Sequence, residues 1–463
     1  EGFQKKHEEG IPLDLECHIG AELLEQAAKR ANKKHATKLR EWAAHLADST
    51  ADIEARINLA YSRHVAGIAR IYPQRNWETT STRSLVLVER ELAAFSTWYE
   101  YFPRSCVYDG KTHGAFKDAA KQLPLIHKMG FNIVYFPPIS PIGREFRKGK
   151  NNTLTPSNDD VGSPWAVGAK EGDHKSILPA LGNLEDFQHF LDEAEMRGME
   201  VALDIAFQCA PDHPWVKKHP EWFRWRPDGS VQYAENPPKK YQDILPINFE
   251  SDDWENLWDE LKSVFEYWIE QGVKVFRVDN PHTKSMEFWR WCILNIKAKH
   301  PEVIFLAEAF TRPKRKYFLA KSGFTHGYTY FTWRNTATEL QQYVEELTQS
   351  ESKEYFWPNF WPNTPDILHA DLQTGNRATF IGRYVLAATL SSNVGLYGPA
   401  YELIDHEPYP GKEENNHSEK YQLKAWDLDK PGNIRSEIAR MNAIRNKHEA
   451  FQRTFNIHFI PCS

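Results

Sequence analysis

Apolar positions recur at helical spacing through the first part of the chain and then give way to short apolar runs separated by amphipathic segments. Leu23, Leu24, Ala27, Ala28 and Ala31 share one helical face, and Ile53, Ile57, Ala60, Tyr61, His64 and Ile68 repeat the pattern over residues 20–71. Thr50-Ala51-Asp52 ahead of Glu54 predicts the start of the second set. Residues 73–82 read as a polar connector. Beyond it, strands are predicted at 98–102, 132–136, 200–205, 274–278, 303–307, 328–331, 355–360 and 393–397. Helices are predicted between or after them at 184–197, 254–271, 285–299, 336–347 and 434–448. Repeated strand–helix units mean a parallel sheet, and eight of them predict a closed (β/α)8 barrel. A doubly wound open sheet is the alternative, weakened because no glycine-rich phosphate loop follows any strand.

Two long stretches, 137–182 and 208–248, interrupt the barrel pattern. Loops of this length are functional or disordered, and their aromatic content argues against disorder. On a barrel they stand over the catalytic rim. The expected organisation is an accessory, largely helical region over 1–90, a catalytic barrel over 91–450, and the start of a further domain over 451–463, with 456–460 strand-like.

Composition narrows the function. A net charge of −6 on 463 residues, without long runs of one sign, argues against nucleic acid as a partner. No apolar run approaches the length of a membrane span. The five cysteines (Cys17, Cys106, Cys209, Cys292, Cys462) are scattered, odd in number and without metal-type spacing, which favours a reducing, cytoplasmic setting over a disulfide framework. Sixteen tryptophans offer stacking surfaces for sugar rings, although core packing accounts for most of them. Trp165, Trp215, Trp222 and Trp225, all in the two excursions, fit either use.

Three carboxylates carry the chemistry. Asp279 ends the run Val273–Val278, Glu308 ends Val303–Ala307, and Asp366 lies in Pro362–Ile367. One strand-ending acid is as easily a turn former or helix cap. Three of them on parallel strands converge at one rim, and a carboxylate pair is what cleavage of a glycosidic bond with retention requires. Arg277, two residues before Asp279, shares its strand face and is expected to keep it ionised as a nucleophile. Glu308 has only apolar sequence neighbours and is expected to stay protonated as general acid. Asp366 would then stabilise an oxocarbenium-like transition state or hold sugar hydroxyls. His213 and His282 lack further ligands at metal spacing, and Asn158-Asp159-Asp160 lacks the alternation of a calcium loop, so no metal and no cofactor are expected.

The stretches around Ala202–Gln208, Phe276–Lys284, Phe305–Phe310 and Asn363–Asp366 resemble, in order, the four sequence regions of α-amylase-type glycoside enzymes. Asn280 and Pro281 after the nucleophile, Gln208 in place of the commoner Asn, and Pro365 in place of His before the third acid depart from ordinary amylases. With Gly143–Asn152, Glu235–Asp243, Tyr328–Thr336 and Ser418–Gln422, these departures resemble the α-1,4-glucan:maltose-1-phosphate maltosyltransferases. That resemblance implies transfer of maltosyl units from maltose 1-phosphate to α-1,4-glucan through a covalent intermediate on Asp279, with Glu308 as acid and base. It further implies donor binding by Lys148, Gln208, Asp243, Arg277, Asn280, Lys420 and Tyr421. It also implies a β-sandwich after the barrel, a fuller accessory domain before it, and a homodimeric full-length form. An amylase-type glucan hydrolase and a barrel retained only for binding are the competing readings.

Overall fold

A computed structural model of the chain describes residues 2–83, 86–236 and 239–460, with Cys462 outside them. The chain divides into two compact units, Glu1–Val86 and Leu87–Ser463.

The first unit is helical: Gly2–Glu8, Asp14–Arg30, Lys33–Ala47, Ile53–Ala60 and Arg63–Ile71. Leu24, Ala27 and Ala28 of the second helix pack with Leu39, Ala43 and Leu46 of the third around a small core of their own. The pattern over 53–68 is not one continuous helix. The backbone leaves it at the extended Ser62, whose hydroxyl accepts from Val65 N at 3.4 Å to start another. The buried Arg56 ties the unit together, donating to Leu46 O at 2.9 Å and pairing with Asp14 at 2.5 Å.

In the second unit eight parallel strands close into a barrel in sequence order. They are β1 Ser96–Glu100, β2 Ile133–Phe136, β3 Glu200–Ile205, β4 Val275–Val278, β5 Ile304–Ala307, β6 His326–Tyr328, β7 Trp357–Phe360 and β8 Asn393–Tyr397. The open sheet is therefore excluded. Alternate residues fill the barrel interior, among them Trp98, Tyr135, Ala202, Val275, Leu306, Tyr328 and Trp361. Their outward neighbours, such as Tyr99, Val134, Leu203 and Phe276, pack with the surrounding helices. This double burial explains the near-continuous apolar runs of the strands.

Two predicted strands fail. Residues 328–331 are strand only at Tyr328; Tyr330–Trp333 turns as a 3-10 helix after the Thr329 hydroxyl accepts from Phe331 N. The strand lies earlier, where His326 pairs with Leu306 and Trp357. Residues 456–460 form no strand, because no described strand lies alongside to pair with them. Helices at Pro313–Lys321 and Arg377–Leu390 were not picked out by the sequence pattern.

The two excursions are pinned to each other over β3. Trp215 N donates to His213 Nδ1 at 3.0 Å, so the His213 proton resides on Nε2, which meets His174 Nδ1 at 3.2 Å. His174 in turn donates from Nε2 to Ala206 O at 2.9 Å. A directed chain of this kind requires both rings neutral. Gly168 passes so close that a Cβ there would lie 1.8 Å from His213 Cδ2, and its φ of +97° also excludes an ordinary side chain. Burial pulls His174 down to about 4 and His213 well below the usual histidine range. A folded pKa below the unfolded value means that the unfolded chain binds more protons. The stabilisation is thus complete above the unfolded value of about 6.5 and is lost as pH falls toward 4. Urea unfolding is expected to show His174 costing about 2 kcal/mol or more between pH 7 and pH 4.5. His174→Asn should remove much of that pH dependence, and an unchanged dependence in the variant would contradict the assignment.

Candidate active site

β4 and β5 run side by side with Val278 opposite Ala307, so the residues that end them emerge together at the rim. The ladder continues past both ends: Asp279 N donates to Ile205 O at 3.0 Å and Glu308 N to Val278 O at 3.0 Å. Asp279 and Glu308 are therefore fixed by backbone pairing before their side chains make any contact. Both carboxylates are buried, 7% and 6% exposed.

Arg277 is the hub. Its Nη1 donates to Asp204 at 2.8 Å and to Asp279 at 3.0 Å, and its Nη2 lies 2.8 Å from Glu308 Oε1. Strand parity foretells the contact with Asp279. The contact with Glu308 comes from the adjacent strand, so the acid's own sequence neighbours do not reveal it. Asp204 also accepts from the Tyr135 hydroxyl at 2.7 Å and the Trp165 indole at 2.9 Å. Sequence reasoning assigned Asp204 no role, although its inward parity with Ala202 on β3 was a usable signal.

One guanidinium cannot neutralise three buried anions, so protons make up the difference. Burial pushes Asp204 up to about 6 and Glu308 up to about 8, with Arg277 opposing and the neighbouring carboxylates reinforcing the rise. Desolvation and the fellow acids therefore favour the protonated form of Glu308, against the opposing field of Arg277. Glu100, fully buried at the end of β1, is raised well above the usual range mainly by the same desolvation. Removing Arg277 leaves the acids without their cation. Arg277→Met is expected to destabilise the barrel by about 3–5 kcal/mol, read by denaturant unfolding; a loss under 1 kcal/mol would contradict the hub.

Asp366 lies in the loop after β7, beside an isolated bridge between Thr364 and Ile367. Lys420 Nζ pairs with its Oδ1, across 54 residues of sequence. The Lys420 ammonium also lies 5.5 Å from the Tyr421 ring centroid and 5.7 Å from that of Trp165. Gln208 donates to Trp165 O at 3.1 Å, and Lys148 donates to Gln242 Oε1 at 2.6 Å. Asp243 is buried; desolvation raises its carboxyl, against the opposing fields of Lys148 and Lys420. Asn280 N reaches Glu308 Oε2 at 3.3 Å. Asp279, Glu308, Arg277 and Asn280 thus make direct contacts, Asp366 pairs with Lys420 beside Tyr421, and Gln208 joins them through Trp165; Lys148 contacts Gln242, next to Asp243. Trp165, Trp215 and Trp222 are buried packing residues, leaving only Trp225, 49% exposed, as an open surface among the four.

Among the described residues, His219, Glu221 and Asp253 have cation-like spacing, their ligand atoms within 4.8 Å of one another. Each already has a partner: His219 meets Glu221 at 3.2 Å, and Asp253 accepts from Trp222 and Asn256. None of the three touches the carboxylate cluster. The described cysteines Cys17, Cys106, Cys209 and Cys292 are buried and unpaired. No described helix is long and apolar enough to cross a membrane.

A closed parallel barrel with acids after β4, β5 and β7 and an arginine two residues before the first is the architecture of an α-amylase-type catalytic domain. Residues 70–260 match the family model "Alpha amylase, catalytic domain", and residues 1–90 match "Alpha-1,4-glucan:maltose-1-phosphate maltosyltransferase, domain N/S". Similar solved folds include α-amylases from Lactobacillus plantarum (TM-score 0.59, 21% identity, 78% of this chain and 82% of that one) and from H. orenii (TM-score 0.59, 17% identity, 77% and 83%). Alpha-1,4-glucan:maltose-1-phosphate maltosyltransferases are far more similar in sequence. That of Chlorobaculum tepidum is 56% identical over 460 residues, covering 99% of this chain and 68% of its own. That of Methylacidiphilum infernorum is 54% identical over 462 residues, covering 99% and 69%. The chain belongs to the α-1,4-glucan:maltose-1-phosphate maltosyltransferase family.

Proposed function

We propose that this chain transfers maltosyl units from α-maltose 1-phosphate to the non-reducing end of α-1,4-glucan by double displacement. One observation carries the mechanism: a single guanidinium touches both Asp279 and Glu308. This holds the two carboxyls across its own width, compatible with the separation of about 5 Å used by retaining enzymes. Asp279 attacks the anomeric carbon as phosphate leaves and forms a β-maltosyl enzyme. Protonated Glu308 gives its proton to the departing oxygen, then recovers one from the acceptor 4-hydroxyl as that oxygen attacks. Asp366 stabilises the positive charge on the ring, its own charge balanced by Lys420 in the free protein.

Donor recognition falls to Lys148, Gln208, Asp243, Arg277, Asn280, Lys420 and Tyr421. Lysine ammonium, asparagine amide and tyrosine hydroxyl suit phosphate, whereas Gln208 and Asp243 suit sugar hydroxyls. The accessory region over 1–90 and the barrel over 91–450 act as separate domains, with 451–463 opening a third. A cytoplasmic, homodimeric full-length enzyme completes the reading; sedimentation of a full-length form as a monomer would refute the last point.

Incubation with maltose 1-phosphate and glycogen tests the reaction. Phosphate should appear together with longer glucan chains. Maltose released from starch, without response to the phosphorylated donor, would instead make this a hydrolase.

A further inference from the structure

Lys284 closes the turn that carries the nucleophile. Its Nζ donates to Asp279 O at 3.1 Å and to Asn280 O at 3.2 Å. The turn needs a clamp, because Asn280 sits in the left-handed region at φ +41° and ψ 52°. That conformation is unfavourable for a residue with a side chain and persists only where its surroundings impose it. Here the surroundings are specific. Thr283 donates to Asn280 O from its backbone at 3.2 Å and from its hydroxyl at 2.8 Å, and the Trp289 indole holds Pro281 O at 2.9 Å. Lysine is the only cation in this set, and it alone reaches both carbonyls.

The clamp has a consequence for the chemistry. The peptide whose carbonyl Lys284 holds, that between Asp279 and Asn280, presents its N–H to Glu308 Oε2, 3.3 Å away, while Asp279 stays in line with β4 beside Arg277. Both arms of the displacement thus depend on one three-atom bridge: carbonyl, ammonium, carbonyl. Were the bridge lost, the part-buried Asp279 carbonyl and the exposed Asn280 carbonyl would no longer be drawn to one cation, and the turn would relax toward ordinary geometry. Asn280 N would leave Glu308, and the Asp279 carboxylate would lose its fixed base. Burial lowers the Lys284 ammonium against the pull of the Asp279 and Glu308 carboxylates, as expected for a cation held among them.

We propose that Lys284 is a positioning residue for the double displacement, clamping the Asp279–Asn280 turn so that the nucleophile and the acid keep their mutual geometry. The inference rests on the mechanism proposed above and assigns Lys284 no contact with substrate. Misplacement of reacting groups by about 1 Å costs on the order of 100-fold in rate. Lys284→Met, which keeps the stem and removes the charge, is therefore expected to lower kcat on the order of 100-fold, with KM for the donor within roughly threefold. Lys284→Arg, whose fork can still reach two carbonyls, should recover at least tenfold of that loss. Both variants should unfold within a few degrees of the parent protein.

Three outcomes overturn the proposal. They are a Lys284→Met variant with kcat within about twofold of the parent, a loss residing in KM alone, or a loss that follows a lowered unfolding temperature and that Lys284→Arg leaves untouched. Failure of the underlying mechanism reads differently, because then the unaltered protein itself would not turn over maltose 1-phosphate.

Discussion

Asp279→Asn is expected to reduce maltosyl transfer by at least 10⁴-fold (an order-of-magnitude figure for loss of a nucleophile) with the fold intact. The size follows from the chemistry: an amide oxygen in the same place cannot form the covalent intermediate, so both half-reactions are lost together. The fold should survive because Asp279 is one of three acids on Arg277, and Asp204 still pairs with that guanidinium while Glu308 stays hydrogen-bonded to it. Removing one anion from a crowded group also relieves repulsion, so the variant should be no less stable than the parent. Phosphate release measured under saturating donor, alongside thermal unfolding, checks both halves. Transfer within tenfold of the parent would remove Asp279 from the mechanism.

Glu308→Gln should lower kcat by about 10²–10⁴-fold, the usual worth of general acid–base catalysis. The variant should also lose the alkaline fall in activity. In the parent, Glu308 must carry its proton to assist the leaving group, and burial holds that proton until about pH 8. Activity is therefore expected to decline as pH rises through that value, whereas the glutamine variant should be flat there. The same shift affects folding. Because the folded pKa lies above the unfolded one, stability is greatest below the unfolded value and is lost as pH rises toward 8. Glu308→Gln should thus gain thermal stability at pH 8 while losing activity. An alkaline limb that persists in the variant would assign the titration to another group.

Much of the fold was legible because parallel barrel strands are buried on both faces and read as apolar runs with polar ends. Glu200–Ile205 and Asn393–Tyr397 match their predicted limits at both ends. The sixth strand was misplaced because His326-Gly327-Tyr328 lacks β-branched residues, while the aromatic run after it looks more strand-like. Pairing with Leu306 and Trp357 decided its position, and that information lies in other segments. The active-site reading followed the same division. Asp279 beside Arg277 follows from strand parity alone. Arg277 on Glu308, Lys420 on Asp366 and His213 on His174 join residues between 31 and 54 positions apart, and they depend on register and loop closure. No local pattern encodes them. The apolar neighbours of Glu308 hinted at its burial, whereas the opposing Arg277 comes from the adjacent strand and leaves no mark in the local sequence.

The most direct measurement is mass spectrometry of the protein after reaction with a fluorinated maltosyl donor that slows the second displacement. A maltosyl ester on the peptide containing Asp279, absent from Asp279→Asn, is the predicted result. An ester on any other residue, or donor consumed with no covalent species at all, would contradict the account.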